Sequence, residues 1–280
     1  MAIISAFADE IDQDPDVQIE VLKANDIRHV ELRGAWGTNV MKFDRAQCSA
    51  LKKRFDEAGL AVSCIASPIG KIRLDEDLDQ HFEDFKHAVE LSDYFGCRRV
   101  RIFSFYPPQG QDIADHRQTV IDQLKRMYDY VEGRDVVLLL ENETRIYGDT
   151  PARCLDLMET LKPDQRRLVM AFDPANFVAV DALPVYQSCW KPLARYVGYF
   201  HMKDRQAGPT APCVPCGQGV GDVEMILRDV ADWPTSGRII LALEPHLKTA
   251  GQFAGSTGPE LFKVAADALR QVCQSAGLAC

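Results

Sequence analysis

Eight times along the chain a short apolar run gives way to an amphipathic helical stretch, and this alternation limits the architecture more than any other feature. The runs are Ala2–Phe7, His29–Arg33, Ala61–Ser67, Arg99–Ser104, Val136–Glu141, Leu168–Asp173, Val197–Lys203 and Ile239–Glu244. Helical patterns lie between them, at 15–25, 44–58, 78–95, 112–132, 150–162, 184–193, 222–231 and 259–275. Most runs are almost continuously apolar, as in Val136-Val137-Leu138-Leu139-Leu140, which is how parallel strands covered on both faces read. Strict β-then-α order predicts an α/β fold, a single (β/α)8 TIM barrel over 1–280, rather than an open sheet. The 280 residues divide into 35 per unit, close to a barrel whose typical total is ~250 residues.

Local signals agree with these boundaries. Asp149-Thr150-Pro151 offers a cap and a first-turn Pro, and Thr257-Gly258-Pro259-Glu260 fits a capping box. Gly59 and Gly96 are placed to stop the second and third helices. Strand-to-helix links after the third, seventh and eighth strands are the long ones, which suits an active rim on one end of a rigid frame.

Composition excludes several classes. No apolar run reaches the ~20 residues that span a bilayer. Met1–Glu10 has no basic segment and turns acidic at once, so no signal peptide is expected. Net charge is −9, from 32 basic and 41 acidic residues, which disfavours a nucleic-acid partner. The odd count of nine cysteines, most in apolar contexts, reads as reduced thiols of a cytoplasmic protein. Cys213-Val214-Pro215-Cys216 has CxxC spacing but sits in a Gly/Pro-rich loop without a second pair; incidental loop cysteines are the expectation.

The ends of the strands carry the chemistry. The fifth ends in Glu141, the sixth in Asp173, the seventh runs into His201-Met202-Lys203-Asp204, and the eighth ends in Glu244. Adjacent strands lie ~4.8 Å apart, so four such side chains can converge on one ion at ~2.1 Å. Singly, each acid could cap a helix or pair with Lys203 or Arg145; four in succession point to a metal. Three carboxylates and one imidazole favour Mn2+ first, then Mg2+ or Co2+, over a thiolate zinc site. Such an ion can polarise a carbonyl and favour the enediolate formed when the adjacent carbon loses its proton.

Leu140-Glu141-Asn142-Glu143, Phe172-Asp173-Pro174-Ala175-Asn176, His201-Met202-Lys203-Asp204 and Leu243-Glu244-Pro245 resemble the signature segments of the xylose-isomerase-like sugar isomerase and epimerase superfamily. Phe7-Ala8-Asp9-Glu10-Ile11, Val30-Glu31-Leu32-Arg33 and Pro215-Cys216-Gly217-Gln218-Gly219 are similar too, so the likeness covers nearly the whole chain. It implies that Glu141, Asp173, His201 and Glu244 are the metal ligands. By likeness to ketose 3-epimerases, Glu141 and Glu244 would also move protons on the two faces of the substrate. Two positions depart from those epimerases: Asn176 stands where they carry a substrate-binding His, and Ala207 where they carry an Arg, with Arg205 the nearest guanidinium. The His-x-Lys-Asp run is more similar to the inosose dehydratase branch, where the Lys faces substrate. Lys203 would then stabilise an enolate or help expel a hydroxyl; an ion pair with Asp204 or a rim carboxylate is the equal alternative.

Other rim residues have two readings each. Glu31 and Arg33 share a face of the second strand, as a floor ion pair or as substrate contacts. Ser67 ends the third strand, Trp36 could stack on a sugar ring, and His246 follows Glu244 into the pocket. Asn176, Arg205, His246, Glu31, Ser67 and Trp36 are the candidate substrate-binding residues. Lys71 and Arg73 form a small basic loop near the rim, expected in solvent, with a contact to phosphate or sugar hydroxyls as the alternative. His29, His81, His87 and His116 are expected to be structural. Gly217–Asp222 reads as a substrate-contacting lid or a turn capping the next helix. The leading expectation is a metal-dependent isomerase or epimerase of a sugar, phosphorylated or not; a homo-oligomer is open, the sequence leaving the oligomeric state unread. A lyase on the same scaffold is the nearest alternative, then a non-catalytic carbohydrate-binding subunit. A DNA-repair endonuclease of the endonuclease IV type is excluded by the shortage of rim histidines and by the charge.

Overall fold

The computed structural model describes residues 2–208, 210–233, 239–249 and 255–280. Its barrel strands are β1 (Ala2–Phe7), β2 (His29–Leu32), β3 (Ala61–Ile65), β4 (Arg99–Ile102), β5 (Val137–Glu141), β6 (Leu168–Phe172), β7 (Val197–Met202) and β8 (Ile239–Leu243). They close in the order β1-β8-β7-β6-β5-β4-β3-β2. The seam pairs Ala2 with Ile239 and Ala6 with Leu243 in parallel register. The eight-stranded parallel barrel expected from the alternation is therefore present. Around it lie α1 (Pro15–Ala24), α2 (Arg45–Ala58), α3 (Leu78–Phe95), α4 (Arg117–Tyr130), α5 (Pro151–Leu161), α6 (Pro174–Ala179), α7 (Val223–Ala231) and α8 (Pro259–Ser275). Among the described residues no helix is long and apolar enough to cross a membrane.

The two-residue period of each strand sorts the core into two layers. Leu138, Leu140, Met170, Phe172 and Phe200 face outward and pack against the helices. Leu139, Val169, Ala171, Tyr199, Ile240 and Ala242 face inward and fill the barrel with Phe7 and Cys64. Each Val, Leu, Ile, Phe or Met side chain among them contributes roughly 1.5–3 kcal/mol when taken out of water. Gly59 and Gly96 close α2 and α3 in the left-handed conformation, at φ +69° and +70°, where L side chains with a Cβ are strained. Thr150 caps α5 by accepting the Arg153 N–H, with Pro151 in the first turn.

Two local expectations are corrected. The helical stretch at 184–193 is broken: α6 occupies Pro174–Ala179, and a π-helical turn at Tyr186–Trp190 leads into one short turn at Lys191–Leu193. Asp173 accepts the Asn176 N–H as its cap and Pro174 takes the first position, so the helix starts directly on the strand end. Thr257 does not cap α8. The cap position is Gly258, and the Thr257 hydroxyl donates to Glu10 Oε2 at 2.7 Å instead.

Candidate active site

Residues facing the barrel axis continue past the strand ends in steps of two. Above Leu139 come Glu141 and Glu143, above Ala171 comes Asp173, above Tyr199 come His201 and Lys203, and above Ala242 come Glu244 and His246; all the polar members are buried. Glu141, Asp173, His201 and Glu244 offer ligand atoms that lie within 4.8 Å of one another. The four residues expected to hold a metal are thus brought together. His201 Nδ1 stands 3.0 Å from Glu141 Oε1 and 3.8 Å from Glu244 Oε2. Both His201 ring nitrogens and Asp173 Oδ2 are buried without an aligned hydrogen bond. Unfilled donor positions among three buried carboxylates fit a divalent cation, since burying them without one is costly.

The carboxylates have cationic neighbours. Lys203 Nζ is 2.7 Å from Asp173 Oδ2 and 3.4 Å from Glu244 Oε2, so the Lys203 ion pair is with rim acids and not with Asp204. Burial would push its ammonium down, but Asp173 and Glu244 hold it well above the usual value. Arg101 Nη1 donates to Glu141 Oε2 at 3.2 Å. Burial raises the Glu141 carboxyl, yet His201 and Arg101 outweigh it and bring it to about 2. Asp173 is pushed up by burial to about 6 against the pull of Lys203. Arg33 bridges Asp9 (2.7 Å) and Glu244 (3.0 Å), with Glu10 at 3.8 Å. His246 Nε2 lies 3.1 Å from Glu10 and 3.5 Å from Glu244. Burial and Lys203 oppose its protonation, while the two acids raise it to about 9.

A cavity of about 550 Å³ opens above this cluster, with Glu141 and Glu244 on its lining and Asn176, Arg205 and His246 on its walls. Asn176 Nδ2 donates to the Asn142 carbonyl at 2.9 Å and faces Glu141 Oε1 at 3.5 Å. Arg205 Nη2 donates to the Ala211 carbonyl at 2.8 Å. Glu31, Ser67 and Trp36 do not line this cavity. Glu31 lies inside the barrel, accepting from Ser63 at 2.5 Å and from Tyr199, and does not pair with Arg33. Ser67 donates to the Arg101 carbonyl at 2.5 Å. Trp36 packs on Phe43 with ring centroids 5.7 Å apart.

Several lining residues escape a reading of the sequence. Lys71, expected in solvent, is buried beside Glu143 at 2.9 Å, whereas Arg73 is exposed and pairs with Asp75. Glu143 could have been found by stepping two residues on from Glu141. Glu10 does not line the cavity, but its Oε2 accepts the His246 N–H at 2.9 Å; it follows β1 in the segment Phe7-Ala8-Asp9-Glu10-Ile11, to which the sequence attaches a resemblance but no role. The glycine-rich loop at 217–222 neither lines the cavity nor caps α7 by a side chain. Its Gly217, Gly219 and Gly221 N–H groups donate to the Asp204 carboxylate at 2.9–3.0 Å. Cys213 lines the cavity and Cys216 is buried; both are free thiols.

The family model for xylose isomerase-like TIM barrels matches residues 19–272. No curated protein matches the sequence. Among solved structures, a xylose isomerase-like TIM barrel protein from Mycobacterium smegmatis in complex with magnesium is similar at 17% identity. It has a TM-score of 0.74 and covers 98% of this chain and 97% of its own. An L-ribulose 3-epimerase matches with TM-score 0.72 and 17% identity over 99% of this chain and 96% of its own. A probable 3-DHS dehydratase from Bacillus anthracis matches with TM-score 0.71 and 16% identity over 96% and 99%. At these identities the likeness is one of fold, and it spans isomerase-type and dehydratase-type proteins. The chain belongs to the xylose isomerase-like TIM barrel family.

Proposed function

We propose that the protein is a divalent-metal-dependent isomerase or epimerase of a sugar or keto-sugar, transferring a proton at the carbon beside a carbonyl. The carrying observation is the buried Glu141–Asp173–His201–Glu244 cluster at the floor of a polar cavity. Glu141, Asp173, His201 and Glu244 would hold a divalent cation, Mn2+ in the first instance, which would supply Lewis-acid polarisation of a substrate carbonyl when bound. Glu141 and Glu244 take and return the carbon-bound proton in this reading, which their position on the cavity lining supports. Lys203 stays charged between Asp173 and Glu244 and stabilises negative charge on the substrate oxygen. Asn176, Arg205 and His246 contact the sugar hydroxyls from the cavity walls. The free cysteines suit a reducing cytoplasm, where we place the enzyme.

The test is product analysis by NMR in D2O, with Mn2+-loaded protein and a panel of ketoses and keto-glycosides. Solvent deuterium at a retained carbon, without loss of water or an aglycone, is the expected result. Loss of water or aglycone would instead assign elimination on the same scaffold. Absence of any reaction in a protein that still binds the metal would favour a binding subunit.

A further inference from the structure

We propose that Lys71 is a further catalytic residue, whose ammonium donates a proton to the substrate carbonyl oxygen as the enediolate forms. This rests on the proton-transfer reading above. Lys71 stands in the loop between β3 and α3 and lines the same cavity as Glu141 and Glu244. Its Nζ is 2.9 Å from Glu143 Oε2, and the two side chains are only 6% and 9% exposed. It also lies 4.3 Å from the centroid of the Phe103 ring, which it shares with the Arg101 guanidinium at 4.9 Å. Lys71 thus serves Glu143 as a counter-charge, and an ammonium held in a cavity wall with a second cation on the same ring is also a functional-site candidate.

The backbone is built to hold it there. The Phe103, Phe105 and Tyr106 N–H groups donate to the Ile69, Gly70 and Ile72 carbonyls at 2.7, 3.0 and 3.0 Å. The Gly70 N–H donates to His81 Nε2 at 2.7 Å. Gly70 has φ +91°, and a Cβ there would stand 2.0 Å from the Phe103 carbonyl oxygen, so only glycine lets the two loops close. The charged groups acting on Lys71 include Glu143, Arg101 and Glu141; burial lowers its amine and Glu143 resists that. Lys203 is held charged by two acids, which leaves Lys71 as the amine suited to give up a proton.

In the proposed step a cluster carboxylate removes the carbon-bound proton, and the C–H electron pair becomes the new C=C bond of the enediolate. One N–H bond of Lys71 breaks and its proton forms an O–H bond on the developing oxyanion, leaving a neutral amine and an enediol. Delivery of the carbon proton to the neighbouring carbon, and of one hydroxyl proton back to Lys71, regenerates both groups without a co-reactant.

The first measurement needs no substrate. Metal-loaded protein is acetylated with trace acetic anhydride from about pH 6 to 10, and the lysines are followed by peptide mass spectrometry. Lys71 is expected to react with a midpoint at least about one pH unit below the reference lysine value near 10.4, with Lys53, whose side chain is 75% exposed, as the internal control. A Lys71 that never reacts, or that titrates with Lys53, overturns the proposal. The second uses Lys71→Met and Lys71→Arg on the ketose turned over best by the Mn2+-loaded protein. Lys71→Met should lower kcat ~10²–10⁴-fold with KM and Mn2+ affinity nearly unchanged, and methylamine should restore part of the rate in Lys71→Ala. Wild-type kcat in Lys71→Met also overturns it. If the wild type fails to bind Mn2+ or turns over no ketose, the earlier reading fails, and the acetylation profile still decides Lys71.

Discussion

The rim of β5 to β8 carries Glu141, Glu143, Asp173, His201 and Glu244, whereas the rim of β2 to β4 carries Arg33, Lys71 and Arg101. Each cation of the second group reaches across to an acid of the first: Arg33 to Glu244, Arg101 to Glu141, Lys71 to Glu143. The acids suit a dication and the cations keep so many buried carboxylates compatible with folding. Removing one partner of a buried pair is far more damaging than replacing both. The halves of the barrel therefore differ in what they contribute. One offers ligands; the other makes those ligands tolerable and aims them. Lys203, between Asp173 and Glu244, and His246, between Glu10 and Glu244, are the exceptions on the acidic side.

The strongest way to break this contrast is to remove charge from the acidic half. Glu141→Gln and Glu244→Gln should each weaken Mn2+ binding by more than the ~10–100-fold expected for outer-shell partners, read by isothermal titration. A protein that binds Mn2+ unchanged after both substitutions would sink the ligand assignment. On the basic half, Arg33→Met leaves Asp9, Glu10 and Glu244 without their guanidinium. Unfolding in urea should show a loss of ~3–5 kcal/mol; a loss below about 1 kcal/mol would mean the counter-charge role is wrong.

Two smaller effects sharpen the picture at the Lys71 loop. Gly70→Ala meets left-handed strain of ~1–3 kcal/mol plus the overlap with the Phe103 carbonyl, and should lower the melting temperature while displacing Lys71. His81 must be neutral to accept the Gly70 N–H, and burial pushes its protonation down. The unfolded chain then binds the proton first, so stability is full above the ordinary His value of ~6.5 and declines as pH falls below it. The Gly70 amide resonance should move through the same acid range, and His81→Gln should flatten the dependence. A Gly70 resonance indifferent to pH would contradict it.

Much of this is legible without coordinates. The barrel can be read because its strands are nearly continuous apolar runs separated by helical periodicity, a pattern that local sequence carries in full. The metal-ligating candidates can be read because Glu141, Asp173 and Glu244 each close such a run and His201 stands two residues short of the end of another. Lys71 cannot: Pro68-Ile69-Gly70-Lys71-Ile72-Arg73 reads as a polar loop, and its burial comes from hydrogen bonds to residues 103–106. Thr257 misleads for the same reason, since its hydroxyl prefers Glu10 at the other end of the chain. The helix Pro174–Ala179 is hidden because Asp173 reads as a ligand candidate alone, while its other oxygen also caps a helix.

One carboxylate, that of Asp204, receives the N–H groups of Gly217, Gly219, Gly221 and its own neighbour Arg205. Four protons that report on the loop thus share a single acceptor pair, and none can be exposed by fraying at one end alone. Hydrogen exchange at these amides should therefore follow one common opening free energy, so that the segment behaves as one small cooperative unit of the molecule.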